Sequence, residues 1–279
     1  KQLPELSKEQ VLLEPLRRNT APAIAYSLFH IQAINPEANI VVAPSDHLIL
    51  KEDLFLSEIE RGLDFVEKHP VLLTLGIKPN RPETGYGYIQ ESNEEVDGIR
   101  KVKTFTEKPN LELARVFYES GEFVWNSGIF LWNVKAILEA FKIHLPDIVN
   151  KFNEGREFFN TPREKEFIDQ AFPFCSSISI DYGIMEKADN VYVIGSDFGW
   201  SDLGTWGSLH EITPKDENNN ASLLCKTLYV ESNDNVVAMS DDKLVVIQGL
   251  EGYIVAESEK ALLICKKEEE QRIKHFVTD

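Results

Sequence analysis

From about residue 10 to residue 212 the chain alternates short apolar runs with amphipathic segments, and this alternation is what most restricts its fold. QVLLEP, ANIVVAPS, VLLTLGI, SGIFLWN and NVYVIGSD read as strands, as do GYGYIQ and IRKVKTFTEKP in a less regular middle. Between them lie helix-like segments. NTAPAIAYSLFHIQAIN has Asn19 or Thr20 as N-cap, Pro22 in the first turn, and Ile24, Leu28 and Ile31 on one face. KEDLFLSEIERGLDFVEKH sets Phe55, Ile59, Leu63 and Val66 on one side. LELARVFYESG stops at Gly121 and VKAILEAFKIHLP at Pro146, and PREKEFIDQAF, ISIDYGIMEKA and LGTWGSLHEI read as further helices. Continuous apolar strands separated by helices predict an α/β domain on a mainly parallel sheet.

Near Pro214 the texture changes. After the polar KDENNN come LLCKTLYVE, NVVAMS, KLVVIQG, YIVAES and ALLICKK, separated by the turn signals SND, SDD, GLEG and SEK. Close spacing of this kind predicts a second, all-β domain, either an antiparallel meander or a small β-helix. The expected division is 1–217 and 218–279, with EEEQRIKHFVT a short charged closing helix. The opening KQLPELSKEQ reads as a helix end and a turn.

The formal net charge of -17 argues against nucleic acid or an anionic membrane as partner. It also means that any phosphate substrate needs a divalent cation and local Lys or Arg to offset the field. Cys175, Cys225 and Cys265 form no CxxC pair, so neither a disulfide framework nor a zinc site is expected, and a reducing cytoplasm is the simplest setting. No apolar run reaches the length of a membrane span. The chain opens without Met, and its N-terminus reads as cut.

Six segments could carry chemistry. PSDH puts Asp46 at the end of an apolar strand, where ligands of open α/β sheets bind and a carboxylate can hold a hard metal. Capping of a loop explains the same aspartate. GWSDLGTW puts Asp202 before a helix, as a second metal ligand or as an N-cap. In EPLRRNTAPAIA, Glu14 precedes a helix N-terminus and has the acceptors to read both N1–H and N2–H₂ of guanine; a surface pair with Arg17 or Arg18 is the simpler reading of the residue taken alone. ETGYGYI supplies Gly85 and Gly87, which permit close backbone approach or a mere bend. FTEKP offers Glu107 to sugar hydroxyls and Lys108 to a phosphate, unless it is a solvated turn. FVWNSGIFLW offers Asn126, donor and acceptor at once, among aromatics that read as core or wall. No Ser or Cys sits in a nucleophile elbow and no His pair has zinc spacing, so covalent catalysis is disfavoured.

Taken in order, EPLRRNTAPAI, PSDH, ETGYGYI, FTEKP, WNSGIF, SIDYGIMEK and WSDLGTW resemble the sugar-1-phosphate nucleotidyltransferases, nearest the guanylyltransferases that make GDP-mannose, over about residues 9–212. The resemblance implies a Rossmann-like nucleotidyltransferase domain of the glycosyltransferase-A-like type with a small C-terminal β domain. It implies GTP and mannose 1-phosphate as substrates, GDP-mannose and pyrophosphate as products, and Mg²⁺ as cofactor. By position, Asp46 and Asp202 then hold Mg²⁺. Glu14, Asn19 and Thr20 face the guanosine. Gly87, Glu107, Asn126 and Asp181 face the sugar, and Lys108 its phosphate. The reaction implied is a direct in-line displacement with Lys108, Asp46 and Asp202 at its centre.

The family's glycine-rich GGxGTRLWPLSR-like loop and the PK pair that follows it do not occur in these 279 residues. The expectation is that the chain taken alone turns over little or nothing and exposes a sheet edge. Other readings are a related enzyme with a different base or sugar, and a non-catalytic regulatory paralogue that binds nucleotide sugars, against which Asp46, Asp202 and Lys108 weigh. A two-carboxylate glycosidase has no specific support. A homodimer through edges of the β tail is expected over a monomer.

Overall fold

The computed structural model of the chain describes residues 5–7, 10–239, 243–258 and 260–276. Most of the opening KQLPELSKEQ, the SDD turn, the glutamate of SEK and the end of EEEQRIKHFVT lie outside them. The chain forms two compact units, Lys1–Pro44 with Lys51–Phe198, and Ser45–Leu50 with Gly199–Asp279.

The first unit begins with helix α1 (Thr20–Ile34) and strand β1 (Asn39–Val42); a two-residue strand β2 (Leu48–Ile49) belongs to the second unit. Then come α2 (Glu52–Lys68), β3 (Leu72–Ile77), β4 (Tyr88–Val96), β5 (Ile99–Thr106), α3 (Leu111–Ser120) and β6 (Phe123–Asn133). Helices α4 (Val134–His144), α5 (Pro146–Asn153) and α6 (Glu164–Ala171) lead to β7 (Val191–Ser196). The six-stranded sheet has the order β1-β6-β3-β7-β5-β4, with β4 also pairing β6. It is mixed. β1, β3, β4 and β7 run one way and β5 and β6 the other, so β3 with β7 is a parallel pairing while the remaining ladders are antiparallel. The long β6 causes this, because it lies between β1 and β3 and reaches on to β4.

Strand periodicity explains the layers. Leu72, Phe130, Trp132, Val191 and Val193 join one core with Ala25, Leu28 and Phe29 of α1 and Ile137 and Phe141 of α4. Their neighbours in sequence, Leu73, Leu131 and Ile194, turn to the opposite face. There a Cβ added to Gly62 of α2 would meet Leu131 at 2.9 Å and Leu73 at 3.0 Å. Helix α1 is buried around most of its circumference rather than on one stripe, as suits a helix with an apolar residue at nearly every turn position. Asn110 caps α3 by accepting from the Leu113 N–H at 2.9 Å, and Gly121 ends it with φ 69°. Pro146 opens α5 at a position where its absent N–H costs nothing. Asp97 and Gly98, both at positive φ, close the β4–β5 hairpin.

Two segments depart from the expected structure. QVLLEP forms no strand: residues 11–14 are irregular, with Val11 and Leu13 exposed, because none of the described strands offers them a ladder. ISIDYGIMEKA is not a continuous helix. Only Asp181–Met185 makes a π-helical turn, since the backbone before it bonds elsewhere: Ile178 O accepts from Ala21 N–H at 3.1 Å, and the Ile180 N–H donates to Thr20 Oγ1 at 2.8 Å.

In the second unit, β2 pairs antiparallel with β8 (Trp200–Ser201), and α7 (Trp206–Ile212) follows. Next come β9 (Ala221–Leu223), β10 (Lys226–Val230), β11 (Val236–Ala238), β12 (Leu244–Gln248), β13 (Tyr253–Ser258) and β14 (Ala261–Lys266). β9, β11 and β13 stack in parallel, as do β10 and β12, and β14 returns antiparallel on β13. Parallel stacking of successive coils makes this a β-helix and excludes the antiparallel meander. Val237 and Val255 of the first stack meet Ile247 of the second in its core, while Ala221, Val236 and Ile254, one above another, form a second apolar cluster with Trp206 and Leu263. Asn235 Nδ2 donates to Asn220 Oδ1 at 2.9 Å, and the Tyr253 N–H donates to Asn235 Oδ1 at 2.9 Å, so two buried asparagines satisfy the turns between coils. A short helical stretch, Lys267–Arg272, and α8 (Ile273–Phe276) close the described chain. Among the described residues no helix is long and apolar enough to cross a membrane.

Candidate active site

In the first unit, ladder register brings three distant segments together. Tyr88 stands opposite Thr106 on one side and opposite Trp125 on the other. One residue earlier, Gly87 therefore lies between Glu107 and Asn126. The Asn126 N–H donates to Gly87 O at 2.8 Å, and a Cβ on Gly87 would meet the Asn126 Cβ at 3.2 Å and collide with Glu107 Oε2. This position requires glycine for space.

Asn126 is held from every side. Its Nδ2 donates to Asp181 Oδ1 at 2.9 Å, and its Oδ1 accepts from Thr74 Oγ1 at 3.1 Å and from the Gly128 N–H at 3.2 Å. Glu107 is fixed by its backbone, whose N–H donates to Glu186 Oε1 at 2.7 Å. Its Oε1 pairs with Lys108 Nζ at 3.1 Å, while its Oε2 is buried without a hydrogen-bond partner. Burial first, and the Asp181 carboxylate next, push the Glu107 carboxyl up to about 7 against the pull of Lys108. Burial also raises the Asp181 carboxyl, opposed by the Asn126 amide and Lys108. For Lys108, burial acts downward, but Glu107 and Asp181 outweigh it and the ammonium is raised. Lys108 takes a positive φ of 47°, and its N–H donates to Tyr86 O at 3.2 Å. The result is a cluster of one charged, half-exposed cation, two largely buried carboxyls and one unsatisfied carboxyl oxygen, a set suited to hydroxyls beside a phosphate.

The start of α1 is anchored to residues 173–180. Arg18 donates to Pro173 O at 2.6 Å and Asn19 Nδ2 to Ser177 Oγ at 3.0 Å. Asn19 occupies the N-cap position with φ 59° but makes no capping bond, and the Thr20 hydroxyl is engaged by Ile180. Left-handed backbone at a non-glycine residue is strained and is held here by these bonds. Glu14 is exposed on the irregular segment, and none of the described residues pairs with it, so the alternative of a pair with Arg17 or Arg18 is not realised.

In the second unit, Leu48 stands opposite Ser201 and Ile49 opposite Trp200. Continued by one residue, this register sets His47 against Asp202, with Asp46 next along. Both carboxylates act on the His47 ring, although burial, the larger influence, lowers its proton affinity below the ordinary value. Asp202 Oδ1 accepts from Ser208 Oγ at 2.9 Å, and Thr205 caps α7 by accepting from the Ser208 N–H at 3.0 Å. Thr205, and not Asp202, is thus the helix cap. Among the described residues, no three His, Cys, Asp or Glu side chains group to hold a metal by themselves. Two carboxylates at one end of a ladder do fit Mg²⁺, which takes one or two and leaves its other positions to water and phosphate oxygens.

Sequence reasoning passes over His47, Trp200 and Glu186. Trp200 Nε1 donates to His47 Nδ1 at 3.0 Å. The only sequence signals were adjacency to Asp46 in PSDH, to Asp202 in GWSD, and to the DYGIM turn.

The nucleotidyl transferase family model matches residues 1–219, and that of the MannoseP isomerase/GMP-like beta-helix domain matches residues 226–279. A mannose-1-phosphate guanylyltransferase of Escherichia coli is 34% identical over 99% of this chain and 61% of its own length. One of Klebsiella pneumoniae is 35% identical over 99% and 59%. The crystal structure of a mannose-1-phosphate geranyltransferase from Thermus thermophilus, 28% identical, superposes with a TM-score of 0.80 over 96% of this chain and 76% of that one. The chain spans about three fifths of the length of the curated relatives it matches. With a family model matched over residues 1–219 and an α/β sheet followed by a β-helix, the chain belongs to the nucleotidyl transferase family.

Proposed function

We propose that the protein transfers GMP from GTP to mannose 1-phosphate, releasing pyrophosphate and forming GDP-mannose, with residues 1–217 as the transferase domain and 218–279 as the β domain. The observation that carries this reading is the convergence of Gly87, Glu107, Asn126 and Asp181 beside Lys108. The family match and the names of the relatives support the same class of reaction.

In this reading the sugar hydroxyls bind Glu107, Asn126 and Asp181, with the unsatisfied Glu107 Oε2 among the acceptors. Lys108 neutralises the sugar phosphate. Glu14 accepts from the guanine edge, and Asn19 and Thr20 shape that end of the nucleotide site. Asp46 and Asp202 would hold Mg²⁺, which supplies charge neutralisation on the phosphates. An ionised oxygen of mannose 1-phosphate bonds to the α-phosphorus of GTP while the bond from that phosphorus to the β-phosphate bridging oxygen breaks. The attacking oxygen carries no proton, so no side chain has to serve as general base. What the chain contributes is alignment and a fixed field.

The test is incubation of the full-length protein with mannose 1-phosphate, Mg²⁺ and each nucleoside triphosphate in turn, with glucose 1-phosphate as competing acceptor. GDP-mannose as the dominant product, read by mass spectrometry, is the expected result. No nucleotide sugar from any pair sinks the proposal.

A further inference from the structure

We propose that His47 is a neutral hydrogen-bond donor to a substrate phosphate oxygen, set in its Nε2–H tautomer by the indole of Trp200. The inference rests on the nucleotidyl-transfer reading for the identity of the acceptor, but the tautomer stands on geometry alone. An indole nitrogen can only donate. Its bond to His47 Nδ1, 3.0 Å long, therefore requires a lone pair on Nδ1. The ring proton then resides on Nε2. An imidazolium would set two N–H groups against each other. The two rings meet edge to face, 5.3 Å apart at 84°.

The backbone holds this pair in place. Leu50 N–H donates to Gly199 O at 3.2 Å beside the two-residue β2–β8 ladder. At Gly199 φ is 68°, and a Cβ would stand 2.7 Å from the Leu50 Cβ, so only glycine lets Trp200 follow. Among the described residues nothing accepts from His47 Nε2. The donor is left for a ligand, beside Asp46 and Asp202. The acceptor class is a phosphate oxygen: an anion gains a charge-assisted bond from a neutral N–H, and a neutral ring does not compete with a cation for the two carboxylates.

The first experiment is long-range ¹H–¹⁵N NMR of histidine-labelled full-length protein at neutral pH, with His47→Phe used to assign the signal. A proton on Nε2 and a bare Nδ1 are expected, and in Trp200→Phe the two tautomers should mix. Adding Mg²⁺ with pyrophosphate, or with mannose 1-phosphate, should shift the Nε2–H resonance, and the arm that shifts it identifies which phosphate is bound. A proton on Nδ1, a fully protonated ring, or no shift in either arm overturns the inference. The second experiment is kinetic. His47→Phe should lower kcat/KM by about tenfold or more, the weight of one hydrogen bond to a charged group. His47→Gln, whose amide N–H reaches the place of Nε2–H, should recover most of that loss. Full activity in His47→Phe removes the phosphate role while nucleotidyl transfer stands. A wild type that makes no nucleotide sugar removes the transfer reading and leaves the tautomer to the NMR result.

Discussion

Gly87 leaves empty the volume that Oε2 of Glu107 needs: a Cβ at that position would lie inside the contact distance of the buried oxygen. Alanine here must displace either the carboxyl group or the β4–β6 ladder that carries Asn126. The expected effect of Gly87→Ala is a rise in KM for mannose 1-phosphate of about tenfold or more, from the lost carboxylate contact, with KM for GTP changed little. Initial rates with each substrate varied in turn check it. An equal rise for both substrates would mean general loosening of the fold.

Glu107 also makes stability depend on pH. Burial and Asp181 raise its carboxyl from an ordinary 4.5 to about 7. Between those values the folded chain holds the proton more firmly than the unfolded chain, so stability falls as pH rises through this window. Below about 4.5 both states are protonated and the penalty is absent. Glu107→Gln should lack this slope. Relative to wild type, its unfolding free energy should therefore improve by up to about 3 kcal/mol between pH 4.5 and pH 8. Denaturant melts across that range measure it, and parallel profiles would contradict it.

How much of this could be read from the chain depends on how local the cause is. Gly121 and Pro146 mark helix boundaries through their own backbone chemistry, and the structure ends α3 and starts α5 there. The apolar runs of β3 and β7 are buried as their composition requires. QVLLEP is equally apolar, but a strand also needs a neighbour, and periodicity carries no information about neighbours. The spacing of SND and GLEG allowed a meander or a β-helix, and what decides between them is the parallel register of Val236 with both Ala221 and Ile254. The convergence of Gly87, Glu107 and Asn126 is likewise a property of two ladders meeting at Tyr88. Asp46 and Asp202 could each be placed at a strand end, but β2 and β8 are two residues long and too short to show any alternation.

Asn126 lies between an acceptor and two donors, and aspartate cannot replace it. Asn126→Asp would turn the donor facing Asp181 into a second carboxylate at the 2.9 Å contact. Repulsion and a lost hydrogen bond should lower stability by about 2–4 kcal/mol at pH 8. Protonation of one carboxyl lets the pair share a hydrogen, so the loss should shrink toward pH 5. Thermal melts at the two pH values test this, and a pH-independent loss would point to packing instead.

Asp202 separates a structural bond from a charge. Its Oδ1 accepts from Ser208 Oγ at 2.9 Å, and a Cβ on Gly204 would stand 2.7 Å from its Oδ2, so the carboxylate fits a closely bounded space. Asparagine has the same shape and keeps a carbonyl acceptor for Ser208, while Thr205 still caps α7. Asp202→Asn should therefore melt within a degree or two of wild type, as expected for a substitution within about 0.5 kcal/mol. Its turnover should fall by about a hundredfold or more if the charge holds Mg²⁺. Asp46→Asn should act alike, and the double variant should be little worse than either single one, because two ligands of one ion act as a unit. Magnesium titrations of turnover in the three variants provide the measurement. Multiplicative losses in the double variant would show that the two carboxylates serve separate ends.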